Sequence, residues 1–114
     1  MHELSIALSI LDVASEEARR QGATCVKGIY LRLGPLSGVV KEALLAAYEL
    51  ARETSELSEA DLVVEDVPVQ AVCPTCRTTR AVVSLQELFC AECGTPTPDV
   101  VSGRDLEVFA LEIQ

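Results

Sequence analysis

Apolar positions recur at helical spacing from the start of the chain. Leu4, Ala7, Leu8, Leu11, Ala14 and Ala18 share one stripe, and Ser5, Ser9, Asp12, Glu16 and Arg19 fall opposite. This period predicts an amphipathic helix over residues 4 to 20. Arg19 and Arg20 complement its C-terminal dipole, and Gly22 suits the position just past its end. The pattern then changes to alternation. Cys25, Ile29, Leu31 and Leu33 lie on one face of residues 24 to 33, with Val26, Gly28, Tyr30 and Arg32 on the other, which predicts a strand with Cys25 as a buried thiol. Gly34-Pro35-Leu36-Ser37-Gly38 reads as a turn whose Ser37 is placed to cap a following helix. Val40, Ala43, Leu44, Ala47 and Ala51 mark that helix over residues 39 to 54, with Lys41, Glu42, Glu49, Arg52 and Glu53 solvated.

Residues 55 to 60 are a polar connection. Residues 62 to 72 are β-rich, and Pro68, which lacks an N–H, marks an edge or an exit from the sheet. A hairpin is expected over residues 77 to 88 and a last strand over residues 103 to 113. The order is helix, strand, helix, strand, an insert, then a strand. It predicts an α+β fold with two helices packed on a three-stranded sheet.

The insert carries the chemistry. Cys73-Pro74-Thr75-Cys76 and Cys90-Ala91-Glu92-Cys93-Gly94 are two C-x-x-C turns. Each turn aims two sulfurs at one point, and two such turns complete a tetrahedral four-thiolate site of the kind that holds Zn²⁺. Cys73, Cys76, Cys90 and Cys93 are therefore the candidate zinc ligands. The insert is too short and polar to build a core, so a structural metal is expected to hold it. Iron in the same sulfur set, two disulfides or a dithiol redox pair are the alternatives. Gly94 suits a knuckle that needs positive φ, and Arg77 stands at the matching place in the first. The expected division is a body of residues 1–70 and 100–114, and a zinc ribbon of residues 71–99.

Charge narrows the partners. The 114 residues carry 9 Lys and Arg against 18 Asp and Glu, for a formal charge of −9. A four-thiolate zinc site adds two further negative charges. That balance argues against nucleic acid, whose binding rests on basic side chains. Four of the five cysteines stand in metal spacing, which points to a reducing compartment. No apolar run reaches membrane-spanning length, and no signal peptide is expected because His2 and Glu3 replace a basic leader start and Asp12 interrupts the first apolar run. A cytoplasmic location follows as the expectation.

His2 is the single histidine. A bland reading makes it a mobile terminal residue. Against that, a helix starts at once beyond it. The α-amine of Met1, the amide nitrogen of His2 and its imidazole can chelate one metal in adjoining rings. Strong nitrogen donors with a deprotonated amide favour square-planar Ni(II) or Cu(II). Glu3 adds a carboxylate or a supporting hydrogen bond. The amine and imidazole must shed protons to bind, so affinity should fall with pH. With one histidine at position 2, no serine or cysteine hydrolase arrangement is available. No phosphate-binding glycine loop is present either, and the chain is not expected to be an enzyme.

Met1-His2-Glu3-Leu4-Ser5, the residues 34 to 40 run Gly-Pro-Leu-Ser-Gly-Val-Val, the paired C-x-x-C and Val101-Ser102-Gly103-Arg104-Asp105-Leu106 together resemble the HypA/HybF family of nickel-insertion chaperones. The resemblance spans nearly the whole chain in the family's order. It implies a nickel-binding domain at the His2 terminus, with Met1, His2 and Glu3 as its site, and a zinc ribbon held by the four cysteines. It implies delivery of Ni(II) to the large subunit of [NiFe]-hydrogenase with a HypB-type GTPase, and service to urease machinery in some relatives. Arg77 departs from the usual glycine, and the final strand is a looser version of the family's. The expected oligomeric state is a monomer or weak dimer. The rival readings are a zinc-ribbon protein–protein adaptor without nickel transfer, and a dithiol redox protein.

Overall fold

A computed structural model describes every residue except Met1, Leu85 and Pro98. The chain runs α1 (Glu3–Arg20), β1 (Val26–Leu33), a 3-10 turn (Pro35–Ser37), α2 (Lys41–Arg52), β2 (Asp61–Asp66), β3 (Gln70–Cys73), β4 (Thr78–Ala81), β5 (Asp99–Ser102) and β6 (Leu106–Ile113). It is an α+β fold with two helices and two three-stranded sheets, ordered β2-β1-β6 and β4-β3-β5. No helix among the described residues is long and apolar enough to cross a membrane.

The chain divides into two compact units. The first comprises Met1–Arg32, Val39–Glu65 and Glu107–Gln114, and the second Leu33–Gly38 and Asp66–Leu106. The second unit thus reaches beyond residues 71–99 on both sides and takes in the glycine-flanked turn.

In the first unit, α1 packs on α2. Along β1, Ile29, Leu31 and Leu33 are buried and alternate with half-buried Tyr30 and Arg32. Val26 and Gly28, expected on the opposite face, are buried as well, so the one-sided pattern holds only in the second half of β1. The helices bury different stripes from those the pattern suggested. Leu4 and Leu8 are exposed, and Ile10 joins Ala7, Leu11, Ala14 and Ala18 in the core. Val40, just ahead of α2, is exposed, while within the helix Tyr48 is buried with Leu44 and Ala51. The Tyr48 hydroxyl donates to the Ala60 carbonyl at 2.6 Å, and Arg52 Nε donates to Ser58 O at 3.0 Å. Together these bonds fix the polar connection after α2. Val40 rather than Ser37 occupies the N-cap of α2, with no side-chain cap bond. Cys25 lies just ahead of β1 and is half-buried, not a buried strand thiol; its carbonyl accepts from the Gln114 N–H at 2.9 Å.

The β-rich run of residues 62 to 72 is two strands in two sheets. β2 ends at Asp66, Pro68 lies in the gap, and β3 starts at Gln70. Proline removes a ladder donor, so the break falls where pairing changes partner. The last strand, expected over residues 103 to 113, is β6 and starts three residues later at Leu106; β5, just before Gly103, is a strand the pattern did not suggest.

In the second unit, β3 pairs antiparallel with both β4 and β5. The chain beyond β4 turns back through the bridges Val82↔Cys90 and Phe89↔Pro96. The segment Leu33–Gly38 is bonded into this unit: Gly34 N–H donates to Asp105 O at 2.8 Å and Leu36 N–H to Gly103 O at 2.7 Å.

Candidate metal centre

The two C-x-x-C turns fold as copies of one local structure. Cys73 closes β3, and the Arg77 N–H donates to the Cys73 carbonyl at 2.8 Å. In the second turn the Gly94 N–H donates to the Cys90 carbonyl, also at 2.8 Å. The residue after each second cysteine has positive φ, 58° at Arg77 and 77° at Gly94. That left-handed residue reverses the chain and lets both sulfurs of a turn face the same side.

The four Sγ atoms lie within 4.8 Å of one another. Cys73–Cys93 is 3.5 Å, Cys76–Cys93 3.6 Å and Cys76–Cys90 3.9 Å. A tetrahedron with Zn–S bonds of about 2.3 Å has S···S edges of about 3.8 Å, so the sulfur set fits a zinc-sized ion. Among the described residues, no other group of three or more His, Cys, Asp or Glu side chains converges in this way.

The cluster has a buried side and an open side. Cys73 and Cys90 are buried, Cys76 is half-buried and Cys93 exposed. Cys73 Sγ accepts the Cys76 backbone N–H at 3.3 Å. Arg80 hydrogen-bonds Cys76 and by itself lowers its pKa, but the neighbouring thiols outweigh it and Cys76 is pushed up to about 12. Hydrogen bonding with the Thr95 side chain and backbone, with help from Cys73, brings Cys93 down to about 6. Sulfurs this close cannot all become thiolates without a countercharge, and a dication supplies one. Arg80 and Thr95 escaped the reading of the sequence. Their position two to four residues past a cysteine is a weak signal. For Arg80 the register of β4 decides whether it reaches the sulfur, and for Thr95 the closure of the second turn, where its carbonyl accepts the Cys90 N–H at 2.8 Å.

His2 is exposed and forms the N-cap of α1, with φ −93° and ψ 117°; its carbonyl accepts from Ile6 N–H at 3.2 Å. Glu3, half-buried, is the first residue of that helix. The third member of the expected nickel site, Met1, lies outside the described residues.

Fold and cluster together define a class: a small α+β protein built around a four-cysteine, metal-sized centre. The family model for hydrogenase/urease nickel-incorporation metallochaperones, HypA, matches residues 1–113. The chain is 42% identical over 112 residues to a hydrogenase maturation factor HypA of Chloroflexus aggregans, covering 98% of each chain. It is 40% identical over 108 residues to the one of Deinococcus radiodurans, covering 95% of this chain and 89% of the relative. The solution structure of the Ni metallochaperone HypA from Helicobacter pylori matches 99% of this chain and 97% of its own, with a TM-score of 0.69 at 24% identity, a likeness of fold. The chain belongs to the HypA family.

Proposed function

We propose that this protein binds Ni(II) at its amino terminus and delivers it to the large subunit of [NiFe]-hydrogenase during maturation. Nickel is the cargo, held by the Met1 α-amine, the His2 amide and imidazole nitrogens, with Glu3 as an added carboxylate or as the group that orients the histidine. Zinc is the structural metal, held by Cys73, Cys76, Cys90 and Cys93. The first compact unit carries the nickel terminus and the second the zinc ribbon. The observation that carries the reading is a family match over residues 1–113, in a chain whose single histidine stands exposed at the start of a helix.

The chemistry supports this division. A cargo site must take up and release its metal, and an exposed chain end permits both. A resident metal instead needs closed coordination, and four thiolates leave no open position. The protein acts in the cytoplasm, where thiols stay reduced, with a HypB-type GTPase supplying nucleotide hydrolysis and urease accessory machinery as a second client. Its role is binding and transfer, without catalysis of its own.

The test is a Ni(II) titration of zinc-loaded protein with a native amino terminus, beside a version with one residue added before Met1 and beside His2→Ala. Both changes should abolish the planar Ni(II) absorption band and leave zinc content and helix content intact. Equal nickel binding by all three would move nickel elsewhere and favour an adaptor role.

A further inference from the structure

We propose that Thr95, backed by Thr75, is a positioning residue for the open side of the metal cluster: a two-hydroxyl relay that holds Cys93 as a ligand and slows metal loss. The inference rests on the zinc reading above and adds residues that the ligand set does not include.

The geometry is a chain of short contacts. Thr95 Oγ1 is 3.2 Å from Cys93 Sγ, and Thr95 Oγ1 is 2.9 Å from Thr75 Oγ1. Thr75 sits inside the first C-x-x-C turn and Thr95 just beyond the second. Their bond therefore ties one knuckle to the other by a route that does not pass through the metal. While Cys93 is a thiol, its S–H donates to the Thr95 oxygen. Once the sulfur is a metal-bound thiolate it can only accept. The Thr95 O–H then turns to the sulfur, and its oxygen accepts the Thr75 proton. The two bonds point the same way and polarise one another.

Cys93 needs this support more than the other ligands do. Cys73 and Cys90 are enclosed, Cys73 takes a backbone N–H, and Cys76 has the Arg80 guanidinium. Cys93 is the exposed sulfur, where water and competing chelators arrive first. Dissociation of a four-thiolate site starts with one ligand leaving, and the exposed one has the least to stop it. A donated hydrogen bond stabilises the thiolate and fixes its direction. Losing such a partner of a metal ligand typically lowers affinity about 10–100-fold.

The experiment uses the full-length protein, zinc-loaded, competed against a chromogenic zinc chelator at equilibrium and in a release time course. Thr95→Val keeps the shape and removes the hydroxyl. It should weaken zinc binding at least about tenfold and speed release by a similar factor. Thr95→Ser should restore both. Thr75→Val should weaken binding by less, and should change nothing further when added to Thr95→Val. Wild-type affinity in Thr95→Val, a Ser variant as weak as the Val variant, or a full extra loss on adding Thr75→Val would each overturn the relay. Should Thr95→Val fail to fold, Thr75→Val at its exposed position decides alone: zinc release indistinguishable from wild type overturns the proposal, and faster release supports it. A wild-type protein that takes up no zinc would instead sink the metal assignment itself.

Discussion

Arg77 and Gly94 occupy the same place in two copies of one turn, each following the second cysteine of its pair, each in the left-handed region, at φ 58° and 77°. A residue with a Cβ pays a penalty there that glycine does not, about 1–2 kcal/mol. Glycine's greater freedom in the unfolded chain takes back part of the gain. Arg77→Gly is therefore expected to stabilise the metal-loaded protein by about 1 kcal/mol, or roughly 4 °C in thermal midpoint for a chain of this length. Gly94→Ala meets nothing within 4 Å of its new Cβ, so its expected loss of about 1 kcal/mol comes from φ alone. Melting curves of both variants check the pair, and opposite signs are the required result.

Tyr48 gives the fold an alkaline limit. Its ring is buried, its hydroxyl donates to Ala60 O at 2.6 Å, and burial pushes its pKa above the ordinary tyrosine value against the opposing pull of Arg52. The folded state binds this proton more tightly than the unfolded state does. The contribution is complete below the unfolded pKa, near 10, and is lost as pH rises through the folded value. Tyr48→Phe should cost about 1.5 kcal/mol at neutral pH, from the lost bond and the Ala60 acceptor left behind. Its stability should fall less steeply than wild type above pH of about 10. Denaturant midpoints measured across that range would show the two curves converging; parallel curves would exclude Tyr48 as the titrating group.

Much of this was legible in the sequence, for reasons that differ by element. The cysteines could be read because chelation is local: a C-x-x-C turn brings its sulfurs together whatever surrounds it. Both helices could be read because a period near 3.6 persists over several turns. Which stripe each buries could not. In α1, apolar residues lie on more than one line (Leu4 and Leu8, but also Ile6, Ile10 and Val13), and the packing partner selects Ile10 over Leu4. Tyr48 was passed over for alanines because its value depends on an acceptor twelve residues away. The run of residues 62 to 72 hid a change of sheet, since alternation says that a segment is extended but not with what it pairs. Arg80 stands opposite Ala71 across the β3–β4 ladder, depends on that pairing and stayed invisible with it. Thr95 lies outside the strands and depends on how the second turn closes, its carbonyl accepting the Cys90 N–H.

Removing the metal should melt the second unit and spare the first. Among the largest fully buried side chains of the described residues, the first unit contributes Tyr48, Ile29, Leu31 and Leu44, whereas the second contributes Thr97, Cys73 and Cys90. Two of those three are the candidate ligands, so chelation takes away much of what that unit has for a core. Metal and folding are coupled in sites of this kind. After exhaustive chelation, amides of Cys73, Arg77, Cys90 and Gly94 are expected to lose protection in hydrogen exchange, while those of α1 and α2 keep theirs. Uniform loss across the chain would mean that the two units unfold as one.

The close approach of Gly34 to Gly103 yields the sharpest contrast between neighbouring glycines. Gly34 has an ordinary φ of −101°, so any residue could adopt its backbone conformation. Space is what it lacks: a Cβ there would be driven into the Gly103 carbonyl, whose oxygen accepts the Leu36 N–H at 2.7 Å. Gly103 cannot retreat, because its own Cα faces Val69, where an added Cβ would stand 2.7 Å from the Val69 side chain. Gly38 is the reverse case, with φ 83° and nothing within 4 Å. Gly34→Ala should therefore cost about 3 kcal/mol through overpacking against backbone, and Gly38→Ala about 1 kcal/mol through φ alone. Thermal unfolding ranks them, and exchange at the Leu36 amide locates the damage. Its protection should collapse in Gly34→Ala and survive in Gly38→Ala. Equal losses in the two variants would show that the Leu33–Gly38 segment is held by its own turn rather than by the packing of Gly34 on Gly103.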